Sequence, residues 1–213
     1  MKICALSDTH THYDEVKTKK CDVLIHGGDL NCYYPQSMKT FCDWLDRQPA
    51  KKKIVIAGNH DKFLEMENGL AREMLKGHCI YLEDSGVEID GVKFWGSPIT
   101  PMFCNWHFMR DRGPAIKRHW DMIPEGTDVL ITHGPAMGIL DSTFYANGGF
   151  RDHVGCQDLL DRIKVIKPKV HIFGHIHGNT AMKQIDETLF INAALAGHYN
   201  DIEEKPIYFD MPG

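Results

Sequence analysis

The chain has 213 residues, of which 43% are hydrophobic and 25% charged, and its formal net charge is −5. These values describe a globular domain long enough to bury a core, and they exclude a disordered chain. The mildly acidic balance argues against an extended nucleic-acid or membrane surface, and no apolar run approaches the length of a membrane span.

The first element read along the chain is a strand over Lys2–Ser7, ending in Asp8-Thr9-His10. A second run, Asp22–Ile25, leads to Gly28-Asp29, and a third, Lys53–Ala57, to Gly58-Asn59-His60-Asp61. Between them Pro35 opens a helix to about Gln48, with Met38, Phe41, Cys42 and Leu45 at helical spacing. A second helical stretch follows from about Lys62 to Leu75, weakened by Asn68-Gly69. The rhythm then changes to short strands at Ile80–Glu83, Gly86–Ile89 and Val92–Gly96, with Asp90-Gly91 as a hairpin signal. Residues 97–127 are irregular, with a short helix near Pro114–Trp120.

A fourth strand, Asp128–Thr132, leads to His133-Gly134. An amphipathic helix follows at Gly155–Ile166, then a fifth strand, Lys169–Phe173, ending in Gly174-His175-Ile176-His177. Closing strands are read at Thr180–Ile185, Thr188–Asn192 and Pro206–Asp210. The pattern is a mixed sheet pair flanked by helices in one domain, residues 1–213.

Two basic runs, Lys17–Lys20 and Lys51–Lys53, are expected to be solvated loops before strands and not a phosphate patch. Seven cysteines without a C-x-x-C pair point to free thiols in a reducing compartment. The chain opens directly on a strand pattern, so no signal peptide is read and the expected address is cytoplasmic.

Parallel strands of an α/β sheet present their carboxyl ends along one rim, where ligands bind. Five strand ends would deliver two aspartates, one asparagine and five histidines to that rim. This exceeds what one metal needs and suits two ions side by side. Nitrogen and carboxylate ligands together fit Mn, Fe, Zn, Co or Ni, with Mn preferred here. Two such ions clamp both oxygens of a phosphoryl displacement, with Asp29 the natural bridge.

The five signatures in this order resemble the calcineurin-like metallophosphoesterase superfamily across nearly the whole chain. Trp95-Gly96-Ser97-Pro98, Ile123-Pro124-Glu125-Gly126-Thr127-Asp128, Thr132-His133-Gly134-Pro135 and Phe173-Gly174-His175-Ile176-His177 are similar to its brain metallophosphoesterase-domain branch, whose members act as phosphodiesterases. Some mammalian members of that branch carry glycine where this chain has His175, which weakens their site. The resemblance implies an α/β fold, a four-layer α/β/β/α sandwich. It implies one metal on Asp8, His10, Asp29 and His177 and a second on Asp29, Asn59, His133 and His175. His60 would then stand beside the phosphate, stabilising charge or protonating the leaving oxygen. Asp61 would orient His60 or, the favoured expectation, cap the following helix.

The implied reaction is attack of a metal-bridging hydroxide on a small phosphodiester, with nucleotides, cyclic ones included, as the substrate class. A phosphomonoesterase and a non-catalytic scaffold are the rival readings. Among the remaining histidines, His26 and His171 are expected in the core, and His12, His153 and His198 in or near loops. The 101–113 segment reads either as a specificity wall or as a loop plugged in by Phe103, Trp106 and Phe108. Arg112 is a candidate phosphate contact, and Asn192 a candidate brace for the site.

Overall fold

The computed structural model describes residues 1–144, 150–151, 153–197 and 200–211. In chain order the strands are β1 (Lys2–Leu6), β2 (Cys21–His26), β3 (Ala50–Val55), β4 (Ile80–Tyr81), β5 (Ser85–Ile89), β6 (Val92–Ser97), the two-residue β7 (Thr100–Pro101) and β8 (Met109–Arg110), β9 (Val129–Thr132), the two-residue β10 (Thr143–Phe144) and β11 (Phe150–Arg151), β12 (Val170–Phe173), β13 (Ala181–Ile185), β14 (Thr188–Asn192) and β15 (Ile207–Asp210). The helices are α1 (Pro35–Asp46), α2 (Lys62–Met66), α3 (Asn68–Leu75), α4 (Pro114–Asp121) and α5 (Gln157–Ile166).

One sheet runs β15-β1-β2-β3-β4 and the other β13-β14-β12-β9-β6-β5. β1, β2, β3 and β4 pair in parallel, as do β6, β9, β12 and β14, and the edge strands β15, β13 and β5 are antiparallel.

Period-two alternation explains the layering. Ile3, Ala5, Val23 and Ile25 of the first sheet join Val129, Ile131, Val170 and Ile172 of the second in one buried cluster between the sheets. Their neighbours Cys4, Leu6, Leu24, Leu130 and Phe173 face outward and are covered by helix residues such as Phe41, Trp44, Trp120 and Leu159. Both faces of the central strands are therefore dry, which is why those strands read as unbroken apolar runs. The result is the α/β/β/α order of layers.

Several local expectations are refined. The 62–75 stretch splits into α2 and α3 because Glu67, at φ −121° and ψ 42°, leaves the helical region. Lys51–Lys53 lie inside β3, not in a loop before it, and Lys51 Nζ reaches Asp22 at 2.7 Å. The Asp90-Gly91 hairpin forms with φ of 49° and 81°, the positive pair a tight two-residue turn requires. All seven cysteines are free, five of them buried. His26 and His171 are fully buried, packed on Phe41 and Trp44 and on Phe173 and Phe190 respectively. Burial pushes both rings down to about 3, so they are neutral core residues. No helix among the described residues is long and apolar enough to cross a membrane.

Candidate metal centre

The parallel strands stop at one rim, and the residues just past their ends meet there. Asp8 and His10 follow β1, Asp29 follows β2, Asn59 and His60 follow β3, His133 follows β9, and His175 and His177 follow β12. Atoms able to hold a metal in Asp8, His10, Asp29 and His177 lie within 4.8 Å of one another. The same holds for Asp29, His133 and His175. Asp29 belongs to both groups. Asn59 adjoins the second, its Oδ1 2.9 Å from His133 Nε2.

Backbone bonds between the loops fix this arrangement. The Asp8 N–H donates to Gly28 O at 2.9 Å, that of His10 to Asp29 O at 3.0 Å, and that of Gly174 to His133 O at 2.9 Å. Two carboxylates bind main chain as well: Asp8 Oδ2 accepts from His175 N–H at 2.9 Å and Asp29 Oδ1 from His60 N–H at 2.8 Å. Asn192 braces the last loop by donating from Nδ2 to Ile176 O at 2.9 Å. Asp8, His10, Asp29 and His175 have φ of 54°, 46°, 56° and 66°. That left-handed region costs about 1–2 kcal/mol per non-glycine residue, so four occurrences on one rim need a cross-bonded frame to persist.

Close approach also demands glycine. A Cβ on Gly174 would lie 2.0 Å from Asp8 Oδ2 and 2.2 Å from Ser7 Oγ. Gly174→Ala should therefore displace Asp8. The expected cost is about 1–3 kcal/mol of stability, seen as a melting temperature lower by several degrees, and about a tenfold weaker metal affinity. Thermal melting and metal titration check this; wild-type values in both would show that the rim yields freely.

The electrostatics form one coupled set. Burial opposes charge on Asp29, but the adjoining His133 outweighs it and holds the carboxyl well below the usual range. Burial would likewise lower the His133 ring, yet Asp29, 3.3 Å away, raises it to about 9. Burial, and then the His133 charge, pushes His175 down to about 3.

The donor set fits divalent cations. His10 Nε2 and His177 Nε2 face each other at 3.3 Å, and His177 Nε2 also lies 3.2 Å from Asp8 Oδ1. His133 Nδ1 is 2.9 Å from the Gly27 carbonyl, which fixes a proton there and turns Nε2 toward the Asp29 and Asn59 oxygens, where a cation would take the place of the Nε2 proton. Lone pairs converging in this way repel unless protons or a cation lie between them. Among the described residues the buried Asn59 Nδ2 has no hydrogen-bond partner.

Around this centre lies a cavity of 480 Å³, lined by residues that include His60, Phe103, Trp106, Arg112 and His175. Of the 101–113 segment, one aromatic is plugged into the fold and two overlie the cavity. Phe108 is buried at 2% exposure and plugs the loop down, whereas Phe103 at 51% and Trp106 at 44% stand free over the opening. The Trp106 ring lies 4.5 Å from His60, and Phe103 5.3 Å from His175.

Arg112 lines the cavity and is also held by the loop beside it. Its Nη1 and Nη2 donate to Gly155 O and Val154 O, both at 2.7 Å, which straps the wall to the neighbouring loop. The capping expectation for Asp61 is corrected. It occupies the N-cap position of α2 but makes no side-chain cap bond. Its carboxylate accepts instead from the N–H groups of Gly58 (2.8 Å), Cys32 (3.0 Å) and Leu30 (3.2 Å). Burial and the Asp29 charge push it up to about 7 against those three bonds.

His60 finds its ring partner in Tyr33, whose hydroxyl is 3.2 Å from Nδ1. Sequence reading missed this residue because nothing in its spacing marks it. Of the loop histidines, His12 binds Glu15 and does not line the cavity, His153 lies 3.7 Å from Asp141, and His198 falls outside the described residues.

Residues 1–207 match the family model of the calcineurin-like phosphoesterase superfamily domain. The chain belongs to that superfamily. Human metallophosphoesterase domain-containing protein 1 is 35% identical to this phosphoesterase-family chain, covering 99% of it and 71% of the human protein. A UPF0046 protein of Caenorhabditis elegans is 36% identical, over 100% of the chain and 76% of the relative. The crystal structure of phosphopantetheinyl hydrolase from Mycobacterium tuberculosis superposes with a TM-score of 0.63 at 15% identity, covering 93% and 90% of the two chains. That last likeness bears on the fold alone. Membership in the superfamily implies metal-dependent hydrolysis of a phosphoester.

Proposed function

We propose that this chain is a dinuclear metal-dependent phosphoesterase that favours phosphodiesters, with small nucleotides, cyclic ones included, as its substrate class. The observation that carries the reading is the sharing of Asp29 between two clusters of ligand-capable atoms at the mouth of one cavity. Asp8, His10, Asp29 and His177 would hold one ion, and Asp29, Asn59, His133 and His175 the other. When bound, two such ions supply Lewis acidity at the phosphoryl group and activate the attacking water near neutral pH. Mn is the favoured metal, with Fe, Zn, Co or Ni as substitutes.

The chain's own residues do the rest. Asp29 holds the His60 main chain through its N–H, so the ring of His60 keeps a fixed distance from the clusters. That ring hydrogen-bonds charge developing on the phosphate or its leaving oxygen. The exposed faces of Phe103 and Trp106 offer an apolar wall to the second ester substituent, which a monoester lacks. Free thiols throughout support a reducing, cytoplasmic setting.

The test is metal content together with Mn-dependent hydrolysis of bis-p-nitrophenyl phosphate and of the monoester. About two metals per chain and faster turnover of the diester are expected. A strong preference for the monoester would make the protein a phosphatase. A folded protein that neither binds metal nor turns over either ester would be a scaffold.

A further inference from the structure

We propose that Glu65 is a positioning residue for substrate choice: it fixes the 101–113 segment so that Phe103 and Trp106 form a rigid aromatic corner, which stacks a flat ring on the ester substituent that stays on phosphorus. This rests on the reading of the cavity as a phosphodiester site.

Two rings build the corner. Phe103 and Trp106 have centroids 5.3 Å apart and planes at 77°, and each is about half exposed at the cavity. A flat ring set in that angle stacks on one of them and meets the other edge to face, the two arrangements that aromatic quadrupoles favour. A saturated ring of the same size gains only the burial of its area. The corner stands against the metal centre itself. The Trp106 ring lies 4.5 Å from His60 and the Phe103 ring 5.3 Å from His175. A group stacked there therefore stays next to a phosphoryl group held at the clusters.

Such a corner selects only if it keeps its angle, and one carboxylate does most of the holding. Glu65 Oε2 accepts from Phe108 N–H at 3.1 Å and lies 3.2 Å from His107 Nδ1, while Oε1 accepts from Arg110 Nη1 at 3.3 Å. Three residues of the segment thus converge on one side chain of α2. Phe108, the buried anchor, has a φ of 53°. That conformation is costly for a non-glycine residue and persists only where its neighbours impose it, and the Glu65 bond is to the N–H of that same residue. The base of the segment is closed by Thr100 N–H on Phe108 O at 3.0 Å and Met102 N–H on Arg110 O at 2.9 Å, and His107 N–H donates to Asn59 O at 3.3 Å. Glu65 does not itself line the cavity, so its effect on a substrate passes through the two rings.

The test uses two p-nitrophenyl diesters whose second substituent is benzyl or cyclohexylmethyl. The leaving group is common to both, so changes in the chemical step or in metal loading cancel in the ratio of their kcat/KM values. The wild type should favour the benzyl ester about threefold to tenfold, the worth of an aromatic contact beyond area burial. Trp106→Ala and Glu65→Ala should each bring the ratio close to one. Glu65→Gln keeps an oxygen for the Phe108 N–H and should retain most of the preference. Calorimetric binding of benzylphosphonate and cyclohexylmethylphosphonate to the Zn-loaded protein should show the same preference without turnover.

A wild-type ratio of one or below, in turnover and in binding, would overturn the corner and leave the phosphodiester reading standing. A Glu65→Ala variant that is slower on both esters but keeps the wild-type ratio would give Glu65 a merely structural part and overturn its assignment. Preferential binding of benzylphosphonate with no turnover of either diester would remove the hydrolytic reading while the corner stands.

Discussion

Asp29→Ala is expected to lose bound metal and phosphoesterase activity together. Asp29 is 1% exposed and is the one residue common to both ligand clusters. Its removal takes an anionic candidate ligand from each, and with it the hydrogen-bond partner that orients and raises the His133 ring. Bound metals contribute several kcal/mol of transition-state charge stabilisation, so activity should drop about a thousandfold or more.

The protein should still fold, because the sheet cores do not include this side chain. Losing the Asp29 charge also relieves Asp61, whose rise that charge supports. Metal analysis, circular dichroism and turnover measured on one preparation check the prediction. A folded Asp29→Ala variant that keeps two metals per chain would sink the shared-ligand reading.

His60→Ala is expected to behave in the opposite way toward metal. His60 stands outside both clusters, between the rings of Trp106 at 4.5 Å and His10 at 5.1 Å. Its removal deletes a hydrogen-bond donor aimed at developing charge while leaving the carboxylates and imidazoles of the clusters intact. Loss of one such donor typically costs about 10²- to 10³-fold in kcat. Metal content should stay at the wild-type level and KM should change little. Release of metal on this substitution would make His60 a ligand and reverse its assigned part.

The contrast between the two variants bears on how the site is encoded. Each ligand position sits directly after an apolar run such as Val129–Thr132 or Val170–Phe173. A strand has period two and a fixed direction, so the place where it stops is a local property of the chain. Parallel pairing then aligns those ends without further instruction. For the same reason the layer order was legible, since alternate residues of a run buried on both faces must meet a sheet on one side and helices on the other.

Local pattern is silent on the rest. The Asp61 carboxylate has the sequence context of a helix cap, but it accepts from two N–H groups of the chain leaving β2 and from that of Gly58 after β3, not from those of α2. Arg112 reads only as a candidate phosphate contact, and its two bonds to the carbonyls of Val154 and Gly155 have no sign in the sequence. Phe103, Trp106 and Phe108 are equally apolar in sequence, and only the packing of the 101–113 segment buries one and leaves two over the cavity. Tyr33 and His60 are far apart in the chain and come from different strand-end loops, with no periodicity linking them.

The sequence alone therefore determined the strand ends, the chemistry of the candidate ligands and the family, because these depend on residue type and on short-range period. The tertiary structure decided the partners of Asp61, Arg112, Tyr33 and His60. Hydrogen bonds between loops depend on where separate strands deliver their ends in space, and no spacing within one segment records that distance.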